Sequence, residues 1–171
     1  MKFLLLLLFA LTLQAKLLIS PFDAMKLHFG EDSTIEKKSL LLSSKEAKAV
    51  TKLAKVKLET KLYKSFRAFN DDKLLGYGIL VLHKVRSKET AVLSIITPDG
   101  RLKTIEIVAF NEPIEYLPSK SWIEVLNNQT LSDSLTLGKD VPSISAATMS
   151  ARAATNAARI ALSIYEVKFK R

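Results

Sequence analysis

The chain has 171 residues and carries 26 Lys and Arg against 17 Asp and Glu, which gives a formal net charge of +9. Hydrophobic residues make up 48% and charged residues 25%, the composition of a folded domain rather than of a disordered or collagen-like chain. Cysteine is absent, which excludes disulfides, thiolate zinc sites, iron–sulfur clusters and thiol catalysis. The chain has two histidines and no His-Glu-x-x-His run, so no metal centre is predicted.

An apolar run from Phe3 to Leu13 follows the positively charged Lys2. A short positive start, an apolar stretch of this length and a following Gln14-Ala15 are typical of a secretory signal, so residues 1–15 are predicted to be a signal peptide cleaved after Ala15. A membrane span needs about 20 apolar residues, and an uncleaved anchor is the alternative. In both cases the remaining chain is predicted to lie outside the cytoplasm.

The first predicted elements of the exported part are a helix, a strand and a second helix. Ser20-Pro21 is a helix start, and Gly30 ends that helix after Phe29. The pattern from Thr34 to Leu42 predicts a strand, and Ser43 to Glu46 fits a capping box for the next helix. That helix is expected to bury one face, formed by Ala47, Val50, Leu53 and Ala54.

A series of strands joined by turns follows. Residues 57–69 predict a strand and 70–72 its turn. Residues 74–82 predict a strand that is buried on both faces, where Gly76 and Gly78 suggest close approach by another element. Residues 90–97 and 102–110 predict two more strands with a turn at Thr97-Pro-Asp-Gly100 between them.

The last third of the chain is predicted to be irregular first and helical at its end. A short helix is expected to start near Trp122, and an Ala-rich helix from Ala146 to Val167 is expected to be capped by Ser145. Successive strands joined by turns indicate an antiparallel sheet packed against helices, so the predicted fold class is α+β. We divide the chain into the signal, an N-terminal extension at 16–56 and a domain at 57–171.

Basic residues are concentrated in the N-terminal half. Four of them share one face of the helix after Ser43: Lys45, Lys48, Lys52 and Lys55. This face could simply be solvated, and its functional interpretation is contact with an anionic membrane surface or an acidic redox partner. Nucleic-acid binding is not expected of an exported protein.

The segment from Ser143 to Ser150 is the strongest candidate site. It is a turn of small and polar residues that opens into the longest predicted helix, where free backbone N–H groups and the positive end of the helix dipole favour an anion. Arg152 lies one turn after Thr148 and is expected to neutralise a phosphate there. The alternative is that these hydroxyl residues only cap the helix.

Here the sequence resembles a known family, the exported flavoproteins of the FMN-binding domain type. They are related to the FMN-carrying subunits of the Rnf complex and of the sodium-pumping NADH:quinone reductase. The family signature is Asp-x-x-Ser-Gly/Ala-Ala-Thr-x-Ser/Thr, and this chain has Ser145-Ala-Ala-Thr148-Met-Ser150. The first position of the signature is Pro142 here, with Asp140 as the nearest preceding carboxylate.

The resemblance extends over roughly residues 57–165. It includes Leu75-Gly-Tyr-Gly, His83-Lys-Val-Arg86, the Pro98-Asp-Gly turn, the stretch Phe110 to Tyr116, and Trp122. In this family a flavin transferase attaches FMN to the threonine hydroxyl through a phosphoester bond, so the resemblance implies covalent FMN on Thr148. The residues then expected around the phosphate are Ser145, Ala146, Ala147, Ser150 and Arg152.

The flavin ring needs an apolar or aromatic wall and polar partners. Aromatic candidates are Tyr77, Phe110, Tyr116 and Trp122, which could equally be core residues, and polar candidates are Glu112 and Glu115. No catalytic residues are predicted, because the cofactor carries the redox chemistry.

The resemblance implies an electron carrier more than an enzyme. The carrier would be periplasmic, or lie on the extracytoplasmic face of the inner membrane, and would pass electrons from a membrane redox complex or a quinol-linked donor to an extracytoplasmic acceptor. Two alternatives remain: a module that binds FMN or another phosphate ligand without a covalent bond, and a structural or adaptor domain without cofactor.

Overall fold

The computed structural model describes residues 17–85 and 88–170; the predicted signal at 1–15 and Arg86 lie outside the described residues. The elements in chain order are α1 (Pro21–Phe29), β1 (Thr34–Leu41), α2 (Ser44–Ala54), β2 (Leu62–Asn70), β3 (Lys73–Val85), β4 (Lys88–Ile96), β5 (Leu102–Phe110), a 3₁₀ turn (Ile114–Tyr116), α3 (Lys120–Glu124) and α4 (Thr148–Lys168).

The five strands form one antiparallel sheet in which spatial order follows chain order, from β1 at one edge to β5 at the other. The predicted turn between β4 and β5 is present, and its Gly100 amide donates to the carbonyl of Thr97 at 3.0 Å. The predicted α+β class is therefore confirmed.

Helix α4 covers one face of the sheet, and α2 packs beside it. The face of α4 that is turned inward consists of small residues, which let the helix backbone approach the strands closely. This stripe is buried and comprises Ala147, Ala151, Ala154, Ala158 and Ala161. Leu53 of α2 was predicted to be buried too, but it is exposed; the buried residues of α2 are Ala47, Val50 and Ala54.

Helix α1 covers part of the opposite face, which we call the α1 face. A Cβ atom at Gly76 would lie 2.5 Å from Cζ of Phe29, and one at Gly78 would lie 2.6 Å from Sδ of Met25. The two glycines thus allow the close approach that the sequence predicts. The strand is not buried on both faces along its whole length, since Leu82 lies beyond the cover of α1 and is half-exposed.

Residues 17–56 are built into the same structure as the rest of the described chain. Strand β1 is an edge strand of the sheet, α1 and α2 cover its two faces, and Leu17 forms a bridge with Ala109 on the other edge. Within the described residues, no helix combines the length and the apolar character needed to cross a membrane.

Candidate functional site at the start of the last helix

A tight turn leads into α4. The amide of Ala147 donates to the carbonyl of Ile144 at 3.1 Å, and Ala146, at the third position of this turn, has a φ of 63°. This left-handed conformation is incompatible with a helix and normally favours glycine. The predicted cap at Ser145 is therefore wrong: the N-cap is Ala147 and the helix begins at Thr148.

Thr148 is the first residue of α4 and is half-buried. Its Oγ1 donates to the carbonyl of Ile144 at 3.2 Å, which directs the hydroxyl back toward the turn. No side chain among the described residues caps the helix, although the amides of its first turn lack partners within the helix. The hydroxyl of Thr148 thus lies beside N–H groups that favour an anion.

Trp122 supports the loop before this turn. Its Nε1 donates to the carbonyl of Pro142 at 2.7 Å, and its ring is buried in the core. The preceding loop is closed by Asp140, which accepts hydrogen bonds from Ser134 and Thr136, and these bonds hold the pKa of Asp140 below its ordinary value. Trp122 therefore holds the loop from the side of the core, and the carboxylate of Asp140 is occupied by hydrogen bonds within the loop.

A small cleft opens beside the helix start and brings together five of the predicted site residues. Its cavity volume is about 10 Å³, which is room for about one water molecule. Clefts that enclose small ligands hold roughly 300–1,000 Å³, so a flavin would contact the rim of this cleft and would not lie inside it. Its walls are Val85, Glu112, Tyr116, Ala146, Ala147, Met149 and Ser150.

Glu112 contributes an acceptor to this cleft that has no donor. Its Oε1 is buried and finds no hydrogen-bond partner within the described part of the chain. A buried acceptor that lacks a donor is costly, so a ligand N–H or O–H group would be stabilised there. Glu115, the other carboxylate considered, is exposed on the 3₁₀ turn.

A basic pocket adjoins the cleft on the other side of Met149, which lines both. It measures about 380 Å³, and Arg152 projects from α4 at this pocket rather than into the cleft. Lys55 and Lys57, in the chain that follows α2, add positive charge to its lining; Lys84 borders the pocket next to His83, and strand alternation directs its side chain to the other face of the sheet.

His83 lies in the wall of the basic pocket. Its side chain is 8% exposed, and its Nδ1 lies 3.4 Å from Oε1 of Glu59. Its Nε2 has no hydrogen-bond partner among residues 17–85 and 88–170. Sequence spacing gave no signal for this pocket, because it forms where the end of α2, the chain after it, β3 and α4 pack together.

Two of the aromatic candidates lie away from the cleft. Tyr77 contacts Tyr165 and Phe169, with ring centroids 5.4 and 4.7 Å apart. Tyr165 is about 25 Å along α4 from Thr148, so the structure does not bring Tyr77 to the site. Phe110 is buried at the end of β5.

The predicted lysine face of α2 is present, and Lys45, Lys48, Lys52 and Lys55 are all exposed. Lys48 and Lys52 also line a groove of about 810 Å³ between α2 and residues 57–61. Over the described residues, no group of three or more His, Asp or Glu side chains could hold a metal ion.

Comparison with known proteins adds no family assignment: no family model matches the chain, and no curated protein matches it significantly.

Proposed function

We propose that this protein is an exported electron carrier with FMN attached to Thr148 by a phosphoester bond. The observation that carries the proposal is the start of α4, where a hydroxyl follows a glycine-type turn and lies beside uncapped amides. The family signature usually has glycine where this chain has Ala146, and that residue adopts the conformation that glycine favours. This conformation supports the resemblance at a position where the signature has Gly or Ala; the departure from the signature is Pro142, where the family has Asp.

The chain's own groups have distinct roles in this proposal. In attachment by a flavin transferase, the Thr148 oxygen bonds to the flavin-side phosphorus of a flavin dinucleotide, the pyrophosphate bond breaks and a nucleoside monophosphate leaves, and the hydroxyl proton passes to a base of the transferase. The amides at the start of α4 then hold the remaining negative charge, a contribution of about 0.3–1 kcal/mol. Glu112 accepts a hydrogen bond from the flavin, and the ring covers the surface outside the small cleft.

FMN, once bound, would accept and release electrons, and the protein would hold it outside the cytoplasm where a dissociating cofactor is lost. The donor in this proposal is a membrane redox complex or a quinol-linked protein, and the acceptor is extracytoplasmic. The protein is a substrate of the transferase and a carrier rather than a catalyst.

Co-expression with a flavin transferase tests the proposal. The wild-type chain is expected to show flavin fluorescence in a denaturing gel, and Thr148→Ala is expected to show none. The matched controls are Ser145→Ala and Ser150→Ala, which remove neighbouring hydroxyls and are expected to remain fluorescent. A dark wild-type band, or fluorescence that survives Thr148→Ala, would contradict the assignment.

The basic pocket favours a second candidate function, which is non-covalent binding of a phosphate-bearing ligand. Arg152, Lys55 and Lys57 provide charges suited to a phosphate, and His83 provides a further nitrogen. FMN added to protein made without transferase would then lose fluorescence on binding. Arg152→Gln would weaken this binding, whereas Lys120→Gln on α3 would not. Binding that is unaffected by Arg152→Gln would exclude this pocket.

A further inference from the structure

The α1 face carries a row of exposed leucines that α1 leaves uncovered. Register places Leu41 opposite Leu62, Leu82 opposite Ala91, Ala91 opposite Ala109, and Ala109 opposite Leu17. Lys64 is paired with Leu80, and continuing this antiparallel register by two residues places Leu62 next to Leu82. Cross-strand partners point to the same side of a sheet, so one apolar row crosses the whole sheet. We call this set the leucine row: Leu17, Leu41, Leu62, Leu82, Ala91 and Ala109.

The large members of the leucine row are exposed to an unusual degree for apolar side chains. Leu17, Leu41, Leu62 and Leu82 are 63%, 68%, 52% and 51% exposed. At about 4.8 Å per strand, the row is roughly 24 Å long. Ala91 is buried, so the exposed surface consists of Leu41, Leu62 and Leu82 on three adjacent strands, with Leu17 at the far edge. A cluster of exposed apolar side chains of this kind marks a site of interaction with a membrane or another protein, whereas single exposed leucines do not.

The charges of the chain favour a membrane over another protein as the partner of the leucine row. Strand alternation puts Lys64 and Lys84 on the same face as the leucine row and on either side of it. The acidic side chains nearby on this face are Glu89, opposite Lys84, and Glu106, which is bonded to His28 at 2.7 Å. Two copies that each carry a net charge of +9 repel each other, while an anionic lipid surface attracts such a chain.

Chain connectivity supports a membrane as well. The first described residue, Leu17, is an end member of the leucine row, and the sequence just before it contains the apolar run 3–13. A chain that keeps this run as an uncleaved anchor would hold that end of the row at the bilayer, and a chain cleaved after Ala15 would depend on the leucine row and its lysines.

We propose that the leucine row and its flanking lysines bind the surface of an anionic lipid bilayer, with the leucines in the interface and the lysines at the headgroups. The opposite face of the sheet, which carries α2 and α4, is then turned away from the bilayer. This surface differs from the lysine face of α2, and binding does not depend on flavin attachment. A Thr148→Ala chain is accordingly expected to bind membranes as the wild type does.

The absence of cysteine permits a direct test in the full chain. A polarity-sensitive dye is attached to a single cysteine introduced as Leu62→Cys or Leu82→Cys, and Leu53→Cys on α2 serves as the control from the opposite face. With vesicles that contain phosphatidylglycerol, the dyes at 62 and 82 should shift to shorter wavelength and be quenched by brominated acyl chains. The dye at 53 should not respond.

Lysine variants test the electrostatic part of the proposal. Lys64→Gln with Lys84→Gln is expected to weaken binding to the anionic vesicles by more than about tenfold, and Lys120→Gln is the matched control on the opposite face. An unchanged affinity would contradict a role for these lysines.

Four results with the labelled chains would overturn the proposal. One is that vesicles leave the dyes at 62 and 82 unchanged, and another is that they change only the dye at 53, which would indicate the α2 lysine face instead. A response at all three positions would mean that the fold opens on the bilayer. A shift at 62 and 82 without vesicles that grows with protein concentration would identify a second copy of the chain as the occupant.

Discussion

Replacing Gly76 by alanine should be far more damaging than the same change at Gly78, two residues along β3. A Cβ at Gly76 meets the Phe29 ring at 2.5 Å and the backbone carbonyl oxygen of Ile96 at 2.6 Å. That oxygen belongs to β4 next to the paired residues Tyr77 and Ile96, so it can move only if the strand ladder is disturbed. A Cβ at Gly78 mainly meets the flexible end of Met25.

Overpacking of this kind costs about 1–3 kcal/mol, and disturbing a ladder hydrogen bond adds about 1 kcal/mol. We therefore expect Gly76→Ala to cost about 3 kcal/mol of unfolding free energy and Gly78→Ala about 1 kcal/mol. Urea unfolding followed by circular dichroism measures both, and the larger loss corresponds to a midpoint lowered by about 1–2 M.

The Phe29→Ala background separates the two contacts of Gly76. Without the ring, the contact with the Ile96 carbonyl remains, so Gly76→Ala should still cost about 2 kcal/mol in that background. Equal costs at Gly76 and Gly78, or a penalty that vanishes with Phe29→Ala, would refute the packing of α1 and β4 described above.

Three further predictions concern the site and its supports. Trp122→Phe should cost about 1–3 kcal/mol of unfolding free energy because a smaller ring replaces the buried indole and the hydrogen bond to the Pro142 carbonyl is lost, and a loss below about 0.5 kcal/mol in urea unfolding would contradict this support. Ala146→Gly should stabilise the protein by about 0.5–1 kcal/mol because glycine relieves the left-handed strain, and destabilisation in the same assay would argue against the turn. The Glu46 pKa is lowered from 4.5 to about 2, mainly by its hydrogen bond with Lys168; this contribution to stability is therefore present above about pH 4.5 and is lost as the pH falls toward 2. Glu46→Gln keeps a capping side chain without the charge, so its deficit against wild type should shrink between pH 7 and pH 2, and a constant deficit would contradict the ion pair.

Local sequence patterns were sufficient to predict those elements whose structure is determined by residues close together in the chain. The capping oxygen of Ser20 and the terminating Gly30 define α1, and the Ser43–Glu46 capping box starts α2. These interactions span a few residues, so sequence spacing alone specifies them. The turn at Thr97 to Gly100 is of the same kind.

The start of α4 could not be predicted in this way. Ser145 has the right chemistry for a cap, but the turn at Ile144 to Ala147 delays the helix until Thr148. The loop that leads into this turn is fixed by Trp122, which is 20 residues earlier than Pro142 in the sequence. A contact over that distance leaves no periodic signal.

Tyr77 illustrates the same limit for the site. The apolar run 74–82 indicates a buried strand, and Tyr77 is indeed a core residue, but its neighbours in space are Tyr165 and Phe169 near the end of α4. Which end of the helix a strand residue meets depends on the direction in which α4 crosses the sheet. That direction is set by packing of the alanine stripe and by α2, and the sequence around Tyr77 does not specify it.

The most direct test of the flavin assignment is the mass of the tryptic peptide that contains Thr148, residues 140–152, isolated from cells that express a flavin transferase. The proposal predicts that the peptide carries one FMN in phosphoester linkage and that fragment ions locate the group at Thr148, not at Ser143, Ser145 or Ser150. Recovery of the peptide only in unmodified form would contradict the proposed function.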